Sequence, residues 1–103
     1  MKTWDISESA PEWKILAETP RTQAALMTIE AGGTVGDADH RHPTTDQWLY
    51  VLDGHGEAII DEKMVPLAPG TLLLIEAGNA HTIKAAHNEQ LRTVNFYGPP
   101  TTF

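Results

Sequence analysis

Cysteine is absent from this chain of 103 residues. That one absence removes disulfides, zinc–thiolate sites and thiol nucleophiles together. Basic residues are few: seven Lys and Arg stand against fourteen Asp and Glu, a formal net charge of -7. None of the basic residues cluster, and a negative surface repels phosphate. Nucleic acid and anionic membrane are therefore poor partners for it. Long apolar runs are also missing. Nothing approaches the ~20 consecutive apolar residues of a membrane span, and the opening MKTWDISESAPEWK holds no apolar signal segment. A soluble cytoplasmic protein is the default expectation. Fixed-period repeats, low-complexity tracts and linkers are lacking too, so residues 1–103 read as one domain around one core.

What is present is ordinary globular composition, 41% hydrophobic and 20% charged, divided by dense turn signals. These fall at Glu18-Thr19-Pro20, Gly32-Gly33, Pro43 to Asp46, Asp53-Gly54, Asp61-Glu62, Ala68-Pro69-Gly70, Gly78-Asn79 and His87 to Glu89. Between them lie the short runs AALMTI, WLYVL, GEAII, TLLLI, HTIKA and LRTVNFY. Runs of about four to eight residues with turns roughly every ten predict an all-β sandwich or barrel. No window carries a 3.6-residue period, so helix is expected only as a turn or two near the termini. Some strands are apolar on both faces. Over Gln47 to Leu52, alternation sets Gln47, Leu49 and Val51 on one face, with Trp48, Tyr50 and Leu52 on the other. A small β domain cannot cover both faces by itself, which predicts a homodimer.

The chemistry concentrates in HRHPTTDQWLYVLDG, residues 40 to 54. On an extended strand His40 and His42 aim the same way, with Arg41 aimed oppositely. Paired imidazoles suit a metal ion, although a histidine pair on a strand is commonly just a surface pair. A hairpin over Pro43 to Asp46 would set Gln47 beside the histidine strand. A third histidine, His81, opens a later strand after the turn EAGNA.

With these residues the chain resembles the cupin superfamily, in particular its small single-domain members. The family's first motif is matched by His40, His42 and Gly54, with Gln47 where glutamate is expected. Its second is matched by Gly70, Gly78 and His81, with Glu76 in place of a proline. Thr34 replaces a glycine before the first motif, and Ala85 an asparagine after the second. The resemblance spans about residues 24 to 97. It implies a double-stranded β-helix, a jelly-roll barrel of two antiparallel sheets, with a divalent metal ion (Ni, Fe, Mn, Zn or Cu) in its mouth. The ligands it implies are His40, His42, Gln47 and His81. Asp46 is the alternative to Gln47, disfavoured because its neighbouring position places it on the opposite strand face.

Three neutral imidazoles and an amide oxygen leave the ion its full charge and two open positions, which favours an anionic substrate group. Around these residues, Glu76 is a candidate acid or base at the pocket mouth, or else a solvated turn carboxylate. Arg92 is a candidate partner for a substrate carboxylate. Trp48, Tyr50, Phe96 and Tyr97 read as core or interface aromatics, with Tyr97 also a candidate for the catalytic pocket. His55 and His87 read as loop residues. Two functions follow: a metal-dependent enzyme acting on a small organic substrate by dioxygenase, isomerase, lyase or cyclase chemistry, or a non-catalytic module that binds or senses a small molecule or metal.

Overall fold

The computed structural model describes residues 1–7, 13–36 and 42–101. Those residues form nine β-strands and no helix, in two antiparallel sheets. They are β1 (Trp13–Glu18), β2 (Gln23–Ile29), β3 (Thr34–Gly36), β4 (Asp46–Asp53), β5 (Gly56–Ile60), β6 (Lys63–Leu67), β7 (Leu72–Ile75), β8 (His81–Ala85) and β9 (Leu91–Gly98). One sheet has the order β1-β2-β9-β4-β7 and the other β3-β8-β5-β6. This is the double-stranded β-helix, in which five of the seven strand pairings join segments distant in sequence.

Alternation decides which side chains enter the barrel. On β4, Gln47, Leu49 and Val51 are buried, while Asp46, Trp48 and Tyr50 are exposed. On β9, Leu91, Thr93, Asn95 and Tyr97 share the inward face. The core is Met27, Ile29, Leu49, Val51, Ala58, Leu67, Ile75, Ile83, Ala85 and Leu91, drawn from both sheets. Gly54 turns β4 into β5 with φ +89°, and a Cβ there would lie 2.1 Å from the Gln90 carbonyl oxygen. Only glycine satisfies both demands.

Three strands lie outside the runs read from the sequence. β1 carries a register irregularity between Ile15 and Ala17, β3 has three residues, and β6 contains Pro66. All three are edge strands, where a short length, a bulge or a proline is tolerated because one side makes no ladder.

The anticipated hairpin between the histidine segment and β4 is not formed. β4 pairs with β7 and β9, and β3 pairs with β8 in the opposite sheet. The chain between Gly36 and Asp46 thus passes from one sheet to the other, which a tight hairpin turn cannot do. His42 lies in that connection, outside any strand. His40 and Arg41 lie outside the described residues.

Candidate functional site

Three elements deliver polar side chains to one end of the barrel interior. Gln47 is the second residue of β4 and stands opposite Tyr97 near the end of β9. His81 starts β8 in the other sheet, opposite Ile60. His42 arrives on the connection between the sheets and is fastened there by its backbone, its carbonyl accepting a bond from Gly78 N at 2.8 Å. The His42 and His81 rings lie 5.3 Å apart, tilted by 36°. Tyr97 meets His42 edge-on at 5.6 Å. Gln47, His81 and Tyr97 are each under 5% exposed.

The loop entering β8 is held from both sides. The Asp61 carboxylate accepts from Ala80 N at 2.9 Å and from Asn79 Nδ2 at 2.6 Å. The Asp46 carboxylate accepts from Ala77 N at 2.9 Å. Asp46 therefore serves the loop on the outer side of β4, as its strand parity requires. His81 Nδ1 stands 3.2 Å from the Asn79 carbonyl oxygen. A carbonyl can only accept, so Nδ1 is the donor in this contact, and Nε2 is the ring nitrogen by which His81 would ligate a metal.

Gln47 has one amide atom engaged and one orphaned. Its Nε2 donates to Asn95 Oδ1 at 2.9 Å, while its buried Oε1 has no partner. Leaving such an acceptor dry costs about 1–3 kcal/mol unless a ligand meets it. Among the described residues the buried polar side chains are Gln23, Thr45, Gln47, His81, Thr93 and Asn95, with no carboxylate. Burial pushes the Tyr97 phenol well above its ordinary value, so it stays protonated and neutral.

The other sequence candidates sit apart from these groups. Glu76 is exposed in the β7–β8 turn, where its N–H donates to Asn79 Oδ1 at 2.8 Å. Arg92 has the opposite parity to Thr93 and Asn95, and its guanidinium donates to the Ile6 carbonyl at 3.1 Å, beneath the N-terminal segment. The exposed His55 pairs with Glu89 at 2.5 Å, on the surface. Sequence reading missed Asn95 and Thr93. Their signal was available: polar residues at inward positions of an otherwise apolar strand need partners.

The two histidines, the orphaned amide oxygen and, among the described residues, buried polar neighbours without a carboxylate suit a cation held by neutral donors. Among the described residues no group of three or more His, Asp or Glu is placed to hold a metal, and the third imidazole of the motif, His40, is outside them.

The sequence profile of the family described as the cupin domain matches residues 25–97. The chain belongs to this family. No curated protein matches it. Among solved structures, this cupin is similar to a Bacillus halodurans protein (26% identity, TM-score 0.83), with 89% of this chain and 73% of that one covered. It is also similar to KdgF from a Halomonas species (25% identity, TM-score 0.77; 95% and 88% covered). A third similar structure is a predicted oxalate decarboxylase from Thermotoga maritima (25% identity, TM-score 0.71; 79% and 69% covered).

Proposed function

We infer that this cupin is a metal-dependent enzyme acting on a small anionic organic molecule, with His40, His42, Gln47 and His81 as the donors. The observation that carries the reading is the orphaned Oε1 of Gln47, buried at the barrel end that also holds the adjoining His42 and His81 rings. An acceptor lone pair, an imidazole that donates through Nδ1 and a second imidazole beside it make a donor set that fits a divalent ion. A bound ion would supply Lewis-acid polarisation of a carbonyl, enol or carboxylate oxygen, or redox chemistry if it is a transition metal with two accessible states.

This chain's own residues account for the rest. The neutral donors leave positive charge uncompensated, so they favour an anionic oxygen of the substrate. Tyr97, held protonated, is a hydrogen-bond donor and not a base. Gln47 stands opposite Ile75 and shares the buried face of β4 with Leu49, and such apolar neighbours strengthen both effects by lowering the local dielectric. The similar structure described as a predicted oxalate decarboxylase supports a catalytic role on a small carboxylic acid.

The test is a screen of small carboxylates, enolisable dicarbonyls and catechols against metal-loaded and chelated protein. Binding is scored by thermal shift, and conversion by mass spectrometry with and without dioxygen. Metal-dependent conversion supports the enzyme. Tight metal-dependent binding without conversion assigns the barrel to binding or sensing, and binding indifferent to metal overturns both.

A further inference from the structure

Behind Gln47 runs a chain of hydrogen bonds with only one consistent polarity. Thr93 Oγ1 donates its single proton to the Met27 carbonyl at 2.9 Å, because a carbonyl cannot donate in return. Toward Asn95, at 2.9 Å, the same Oγ1 must accept, so the atom facing it is Nδ2. Asn95 consequently turns Oδ1 toward Gln47. The group of Gln47 that meets this oxygen at 2.9 Å must be Nε2, and Oε1 is the atom left over. The backbone carbonyl of β2 thus decides, through two side chains, which end of a β4 amide is presented as a donor to a ligand. Thr93 and Asn95 are at most 1% exposed, so no water can reverse either one.

We propose that Thr93 and Asn95 are positioning residues that lock the Gln47 amide with Oε1 outward from the relay, and that they select glutamine over glutamate at position 47. A carboxylate there has no proton to give, and one of its oxygens would face Asn95 Oδ1. To accept it, Asn95 would have to turn over, and Thr93 would have to abandon the Met27 carbonyl. The departure from the family's glutamate is therefore matched by the strand behind it. The ligand role of Oε1 rests on the metal reading given above; the polarity of the relay does not.

The two parts are separable. In chelator, the cycle Gln47→Glu, Thr93→Val and the double variant is followed by denaturant unfolding. The cost of burying a carboxylate is common to both backgrounds and cancels. With Thr93 present, Gln47→Glu should shift the unfolding equilibrium by roughly 10-fold or more. In the Thr93→Val background, where Asn95 is released to turn and donate, the penalty should be smaller by roughly 10-fold in the unfolding equilibrium, the shared cost of burying a carboxylate remaining. Thr93→Ser keeps the hydroxyl and should keep the penalty. Equal penalties in the Thr93 and Thr93→Val backgrounds overturn the relay.

Should the glutamate variants not fold, exchange of the Gln47 and Asn95 side-chain amide protons decides the matter by NMR. Protection in wild type and Thr93→Ser with loss in Thr93→Val is required, and no difference between them refutes it. Calorimetric titration with cobalt(II) alone then reads the ligand role. Thr93→Val should weaken binding by roughly 10-fold, with Thr93→Ser near wild type. Wild-type protein that takes up no cobalt(II) overturns the metal reading, while the cycle in chelator still judges the relay.

Discussion

Asp46 and Gln47 are adjacent, both carry an oxygen suited to a metal, and the pleat sends them to opposite faces of β4. Asp46 spends its carboxylate on Ala77 N, outside the barrel. Gln47 holds its oxygen unpartnered inside. The consequence is a difference between two substitutions. Gln47→Ala should lower divalent-metal affinity by roughly 100-fold, and Asp46→Asn should leave it unchanged while costing about 0.5–1 kcal/mol of stability through a weaker loop bond. Titration of both variants with cobalt(II) beside denaturant unfolding checks this, and the reversed pattern would transfer the ligand role to Asp46.

Strand elements were largely legible in the sequence because short apolar and β-branched runs stand between closely spaced turn signals, with clean alternation on β4. The edge strands β1, β3 and β6 were not, since an edge is permitted the bulge, brevity or proline that erases the pattern. Pairing was legible only in part. The turn over Pro43 to Asp46 looks like a hairpin locally, and only the whole barrel reveals that the chain changes sheets there.

The β5–β6 hairpin shows the same interplay in reverse. Ile60 faces Lys63, so Asp61 and Glu62 alone make the turn, at φ 45° and 71°. Left-handed backbone suits a primed hairpin turn and is tolerated by Asp, but glutamate gains nothing there. Asp61 is retained because it clasps Asn79 and Ala80 ahead of His81. Glu62→Gly relieves strain without touching that clasp. It should raise stability by about 0.5–1 kcal/mol, seen as a higher denaturant midpoint at unchanged slope. A loss of stability would show that the turn is not strained at this residue.

At the scale of the molecule, the five-stranded sheet turns an apolar outer face to solvent. Trp48 stands opposite both Phe96 and Leu74 across the ladders, and Tyr50 opposite Leu72. All five are at least a third exposed in the single chain. For a contiguous apolar face of this kind we propose association, and a two-fold dimer would close it with one self-complementary contact. Light scattering at micromolar concentration should return about twice the 11.3 kDa chain mass. Trp48→Lys, which places an amine at the centre of the face, should return the single-chain mass with the fold intact by circular dichroism. A wild-type monomer contradicts the dimer.

The whole molecule also sets the charge of the site: an acidic protein of net charge -7 whose described interior offers a cation only neutral donors. Metal content is the most direct measurement of that account. Wild-type protein, reconstituted with nickel, iron, manganese, zinc and copper in turn and freed of excess ion, should retain one divalent metal per chain by elemental mass spectrometry for at least one of them. His81→Ala and His40→Ala should each retain far less, because the remaining donors cannot hold the ion against exchange. Wild type that retains as little of every metal as the two variants would contradict the account.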